Sequence, residues 1–215
     1  MLVTQADDFM GPAIAELFRA EGATVIPGKS DLRVTSAAAD LVAKAGHVDV
    51  LIANLMMRNR RNSVPETSDE EWQSMFDAMV HPLHRLVRAV LPQMIARRSG
   101  KIVVIGSANA IRGTAVRAAY SAARGAQLAY VKCTGIEVAG HGVNVNATAQ
   151  NWVSNPTSYT PEIVAAPDFP ERIRDVPIGR VARGWESAAL ALFLSTAESD
   201  FFHGQIVPFA GGWAV

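Results

Sequence analysis

Apolar and polar positions along the chain follow two periods. Short apolar-rich runs at Leu2–Thr4, Thr24–Ile26, Val48–Ala53, Ile102–Ile105, Val143–Thr148 and Gln205–Phe209 predict strands, with Val48–Ala53 near-continuous as in a buried parallel strand. Between them, apolar residues spaced by three and four predict helices. Gly11 and Pro12 open the first, with Ile14, Leu17 and Phe18 on one face and Gly22 at its end. A shorter helical segment follows Asp31-Leu32 and ends near Gly46. Ser68 with Glu71 has the spacing of a capping box. Behind it Trp72, Met75, Met79, Leu83, Leu86, Val90 and Met94 trace one long stripe, with Pro82 a place for a bend. A second long helix carries Tyr120 and reaches about Gly140, and residues 184–197 form the last. Residues 150–178 read as a long irregular, proline-bearing segment. Loops of more than about 15 residues are uncommon and often functional, so this one is a candidate substrate cap.

Strands alternating with helices imply an α/β fold: one Rossmann-like, doubly wound parallel sheet spanning 1–215 as a single domain. The sequence has no repeat, low-complexity tract or linker that would divide it. Ligands of such sheets bind at the carboxyl ends of the strands. Here these ends are Gln5 to Met10, Asn54 to Met57, Ser107 to Asn109 and Gln150 to Trp152.

Composition narrows the partners. Lys plus Arg balances Asp plus Glu at 20 each, so nothing suggests nucleic acid. The single cysteine, Cys133, excludes an intrachain disulfide and is expected to be a buried small hydrophobe in a reduced setting. No leader-like start and no apolar run of the ~20 residues needed to span a bilayer is visible, so a cytoplasmic protein away from membranes is expected. His81 and His84 lack nearby carboxylate or cysteine ligands and are expected to pack on the long helix, leaving no metal site. Asp31 is expected to cap the next segment, and Trp213 is a candidate for a subunit interface.

Chemistry concentrates between Lys101 and Lys132. A strand delivers Ser107 to its carboxyl end, and Tyr120 and Arg124 follow at i and i+4 of one helical face. A guanidinium beside a phenol favours the phenolate. A serine hydroxyl facing such a tyrosine makes an acid–base pair for a substrate oxygen. An absence is equally informative. A dinucleotide site needs glycines after the first strand so that backbone can approach a pyrophosphate. This chain has Gln5-Ala6-Asp7-Asp8-Phe9-Met10-Gly11 there, with two acidic residues and a bulky ring, and Asn54-Leu55-Met56-Met57 after the VDVLIA strand. No nicotinamide cofactor is expected.

The layout, Asn54 and the GQIVPFAGG close resemble the short-chain dehydrogenases/reductases, which carry Ser, Tyr-x-x-x-Lys and a glycine-rich turn. With Arg124 in place of the lysine and the turn lost, the chain is similar to the halohydrin dehalogenases. HPLHRLVRAVLPQM, NVNATAQNW and ESDFFHGQIVPFAGGW are nearest to their B-type branch. The resemblance implies a Ser107–Tyr120–Arg124 triad that converts vicinal halohydrins to epoxide and halide without a cofactor. It also implies epoxide opening by azide, cyanide or nitrite in reverse. It places the halide and substrate site at Phe9, Met57, Gln150, Asn151, Trp152 and Val153, although Gln150-Asn151-Trp152 stands where other branches have proline and tyrosine. It further implies a homotetramer built through the helices near 69–98 and 115–139. Two other readings stay open: an NAD(P)-dependent reductase with a degenerate turn, and a catalytically silent binding homologue.

Overall fold

In the computed structural model, which describes residues 1–58 and 60–215, six parallel strands form one sheet in the order β2-β1-β3-β4-β5-β6. They are β1 (Leu2–Thr4), β2 (Ile26–Gly28), β3 (Val50–Ala53), β4 (Gly100–Ser107), β5 (Val143–Gln150) and β6 (Ile206–Phe209). The chain winds outward from β1 to β2, then crosses back to place β3 on the other side of β1. Ligands collect at such a reversal, outside the carboxyl ends of the strands. The pair β4 and β5 stays in register for its full length, from Gly100 opposite Val143 to Ser107 opposite Gln150. That register brings the loops after both strands to one edge.

The helices cover both faces. α2 (Ala37–Ala45), α3 (Asp69–Arg97) and α5 (Ala118–Val138) pack on one side, where Leu83, Leu86, Val90 and Met94 meet Leu51, Ile102, Val104 and Val145. α1 (Gly11–Ala20) and α8 (Gly184–Phe193) pack on each other and on the opposite face, around Val3, Ile14, Phe18, Val103 and Leu194. Each fully buried aliphatic side chain contributes about 1.5–3 kcal/mol, so these two layers dominate stability. Gly106 lies where a Cβ would meet the Thr148 carbonyl oxygen at 2.5 Å, so only glycine lets β4 reach its end against β5.

Several expectations shift. β2 begins at Ile26 rather than Thr24: as an edge strand it pairs only with β1, and Leu2 opposite Ile26 sets the start. α2 starts at Ala37 because Asp31 closes a local turn instead, accepting from the Arg33 backbone N–H at 3.1 Å and pairing with its guanidinium. Ser68 does cap α3 through the Glu71 N–H at 3.2 Å, but the Glu71 carboxylate turns to Asn62 and does not complete the box. Trp72 is 43 % exposed, outside the stripe that Met75 begins. α3 runs unbroken through Pro82. α5 ends at Val138 and passes into a short 3-10 turn, and α8 stops at Phe193. Cys133 is exposed, not buried, because it projects from the outer side of α5 next to Lys132 while Val131, Thr134 and Gly135 face inward. The segment 150–178 is less irregular than expected. It holds the short helices α6 (Pro161–Val164) and α7 (Phe169–Arg172), which pack with Trp213 and Ala214 into a separate apolar cluster. Trp213 is therefore packed within the chain. His81 pairs with Asp77 and His84 meets the Tyr130 hydroxyl; no cluster able to hold a metal occurs among the described residues. No helix among them is long and apolar enough to cross a membrane.

Candidate active site

Ser107 ends β4, and the short α4 (Asn109–Arg112) leaves it at once, with the Asn109 N–H donating to Ser107 Oγ at 3.3 Å. Tyr120 stands in the first turn of α5, facing Ser107 and packed among Met75, Met79, Ala119 and Ala123, with Met57 against the same cluster. Arg124, one turn on, is only 2 % exposed. A buried guanidinium is costly unless its donors are matched. Here Nε donates to Tyr120 Oη at 3.1 Å, and Nη1 reaches the Leu55 carbonyl, the Ile105 carbonyl and Gln127 Oε1 at 3.0, 3.0 and 2.9 Å. Gln127 in turn donates to the Met79 carbonyl at 2.8 Å. The cation is thus fixed between the ends of β3 and β4 and aimed at one phenol.

That placement shifts the pKa of Tyr120. Burial on its own pushes the phenol up. The Arg124 charge, hydrogen bonds from Ser107 and Arg124, and the Arg117 charge together outweigh it, and the net pKa lies below the ordinary tyrosine value. Ser107 and Tyr120 open onto a cavity of about 860 Å³ at the carboxyl edge of the sheet. Gln150, Asn151, Trp152 and Val153 line it. Phe9 and Met57 do not: Phe9 is buried, and it is Met56 that reaches the wall. The reason is a side chain invisible to pattern reading. Gln5 binds both backbone groups of Met56, at 2.8 and 2.9 Å, and so fixes which way the bulky pair points. Trp152 both lines the cavity and anchors the 150–178 segment through Tyr159 and Phe169. Its indole N–H is buried with no acceptor among the described residues.

Three contributors were not visible as site residues in the sequence: Gln127, Arg117 and Tyr159. Gln127 carried a signal, a polar residue at i+3 from Arg124 on the core side of α5. Arg117 lies with its guanidinium 5.8 Å from the Tyr120 ring centre. Tyr159 comes from a loop whose path has no sequence period. Replacing Gln127 with Leu should cost about 1–3 kcal/mol, because it removes the buried hydrogen bonds that Gln127 makes to the Met79 carbonyl and from the Arg124 guanidinium. Chemical unfolding measures that loss, and a midpoint equal to wild type would remove Gln127 from the network.

The turn after β1 is closed upon itself. Phe9, at φ 47°, donates its N–H to Asp8 Oδ1 and to Thr157 Oγ1 at 2.9 and 3.1 Å, and Thr157 also binds the Asp8 carboxylate. Asn54 Nδ2 donates to the carbonyls of Gln5 and Asp8 at 3.2 and 3.0 Å. Gly11 N–H is held by the Asp8 carbonyl, and Pro12 brings no N–H to the first turn of α1.

Comparison with known proteins completes the picture. Residues 28–214 match the family model described as enoyl-(acyl carrier protein) reductase. Among curated relatives, the 3-oxoacyl-[acyl-carrier-protein] reductase FabG of Thermotoga maritima is 28% identical, covering 100% of this chain and 97% of its own length. Among solved structures, one described as a dehalogenation enzyme superposes with a TM-score of 0.91 at 27% identity, over 99% of this chain and 97% of its own. A halohydrin dehalogenase, HheC, bound to ethyl (2S)-oxiran-2-ylacetate superposes with a TM-score of 0.89 at 25% identity, over 100% and 96%. With a model matched across most of its length and relatives spanning it end to end, this chain belongs to the enoyl-(acyl carrier protein) reductase family within the short-chain dehydrogenase/reductase superfamily.

Proposed function

We propose that the protein is a cofactor-independent halohydrin dehalogenase that converts vicinal halohydrins to epoxides and halide. The observation that carries this reading is the Arg124-held Tyr120, acidified and open to a cavity, beside a turn that does not fit a dinucleotide. The nicotinamide dinucleotide used by reductases of this fold needs N–H donors and open space after β1. Here the Phe9 and Gly11 N–H groups are already bonded, Pro12 has none to give, and the Asp8 carboxylate sits where phosphate charge would lie. Similarity to the two dehalogenase structures points the same way.

The chemistry follows from the geometry. The substrate hydroxyl binds between Ser107 Oγ and Tyr120 Oη. Tyr120 as phenolate takes its proton, and the alkoxide oxygen bonds to the neighbouring carbon. The carbon–halide bond breaks with its electron pair leaving on the halide. The proton and the halide are released, so no reductant is consumed. The halide is received on the wall formed by Gln150, Asn151, Trp152 and Val153. In reverse, Tyr120 protonates an epoxide oxygen as an anion attacks carbon.

Sequence kinship favours a second reading, reduction of a 3-oxoacyl thioester by a nicotinamide, because the curated relatives are such reductases. One measurement separates the two. Purified protein with 1-chloro-2-propanol and no nicotinamide should release chloride and protons in equal amounts. Absence of halide release together with oxidation of NADPH by an acetoacetyl thioester would replace the dehalogenase reading with the reductase one.

A further inference from the structure

The cavity is larger, and one of its walls more cationic, than a short haloalcohol needs. Pockets of roughly 300–1,000 Å³ enclose drug-sized ligands, so a small halohydrin would leave most of the 860 Å³ here to water. The charged side chains on the wall among the described residues are Arg58, Arg61, Arg112, Arg117 and Arg172, against a single carboxylate, Asp175. The whole chain is balanced at 20 against 20, so this excess belongs to the cavity.

The arginines are not equivalent. Arg172 is neutralised by Asp168 at 2.7 Å, and Arg112 lies over the Trp213 ring and donates to the Trp213 carbonyl at 2.8 Å. Those two hold the cap and the carboxyl terminus in place. The other cations on the wall are Arg58, Arg61 and Arg117; burial first, and then the Arg61 charge, lower the pKa of Arg117, while Tyr159 and Tyr120 raise it. A wall that sets several cations against one carboxylate carries a positive potential, which favours an anionic group in the cavity. Arg117 is also the cation next to the chemistry, 5.8 Å from the Tyr120 ring, while Arg58 and Arg61 stand at the exposed rim. The receiving wall for halide comes from a different loop, Gln150 to Val153, so the arginine wall is free of that duty.

We infer that the substrate carries an anionic group, a carboxylate or phosphate monoester, several bonds from the halohydrin carbons, and that Arg61 and Arg117 hold it with Arg58 guiding entry. Guanidinium forks match both anions by paired hydrogen bonds. The inference rests on the dehalogenase reading for the reacting end, and on the cavity alone for the anionic end.

The test compares 6-chloro-5-hydroxyhexanoate with its primary amide, and a chlorohydrin phosphate monoester with the corresponding diol, at low and high salt. The anionic member of each pair should show a kcat/KM at least tenfold higher, mainly through KM. The advantage should shrink with salt and fall toward unity in Arg58→Gln/Arg61→Gln, which changes only exposed rim side chains. Which anion gains more identifies its class. An amide turned over as well as the carboxylate, and a diol as well as the phosphate, would overturn the inference and leave the dehalogenase reading standing. If no chlorohydrin releases chloride, the dehalogenase reading falls, and binding decides the anion site separately through Trp152 and Trp213 fluorescence. Saturable quenching by 5-hydroxyhexanoate but not its amide, lost in the double variant, supports the site; equal responses overturn it.

Discussion

Tyr120→Phe is expected to lower the rate of halide release by about 10²–10⁴-fold, the span that a positioned general base contributes. The ring would still fill its place among Met75, Met79 and Ala123, so the cavity keeps its shape and substrate binding changes little. What goes is the one oxygen that Arg124 Nε and Ser107 both address. Ser107 cannot replace it, because an aliphatic hydroxyl is a far weaker acid than a phenol and is not available as an oxyanion base. Initial rates of chloride release by the two proteins measure the effect, and a variant within a few-fold of wild type would remove Tyr120 from the role of base. The same pair reports on stability. Because the Tyr120 pKa is depressed in the folded state, the native protein binds fewer protons than the unfolded one between that lowered value and about 10. The phenolate therefore stabilises the fold increasingly as pH rises through this window, and that gain is lost as pH falls through the folded value. The stability of wild type relative to Tyr120→Phe should rise with pH across it, as urea unfolding at several pH values would show.

How far the sequence carries the structure depends on which residues have a repeating environment. The places of the strands along the chain, the burial of Met75 to Met94 along α3 and the meeting of Ser107 with Tyr120 follow from periods of two and 3.6 and from the ends of strands. Arg124 follows from the same helical geometry. What escaped is governed by single long-range contacts. In the extended stretch after β3, a one-residue offset turns a side chain to the other side, and only the Gln5–Met56 bonds decide that Met56 and not Met57 faces the cavity. Phe9 was expected in the halide and substrate site; its left-handed backbone is pinned by Thr157 from a segment far along the chain, and its ring is buried and does not line the cavity. Cys133 was misread because an apolar neighbourhood in sequence says nothing about which side of a helix faces out when α5 is buried over much of its circumference. The cationic wall was equally hidden. Its arginines come from three separate segments, those that follow β3, β4 and β5, and a net charge of zero conceals their convergence.

Arg124→Lys is the second large effect expected, and it separates charge from geometry. The guanidinium does two jobs with different atoms: Nη1 binds two carbonyls and Gln127, while Nε reaches the phenol from the side. An ammonium is a point donor. Placed among the Leu55 and Ile105 carbonyls it draws back from Tyr120, and placed against Tyr120 it leaves those buried carbonyls unmatched, at about 1–3 kcal/mol for each group stranded. Either way the phenol loses its lateral partner while its burial remains, and burial alone drives its pKa up. The unprotonated fraction at neutral pH then falls, so halide release near pH 7 should drop roughly tenfold or more and recover as pH is raised. The acid limb of the kcat/KM profile should move to higher pH than in wild type, with a lower unfolding midpoint. A profile that keeps its position while the rate falls would mean that Arg124 shapes the site without setting the Tyr120 charge. Recovery at high pH is the outcome a merely structural arginine could not produce, since raising pH restores a phenolate but does not refill a cavity or rebuild a lost hydrogen bond.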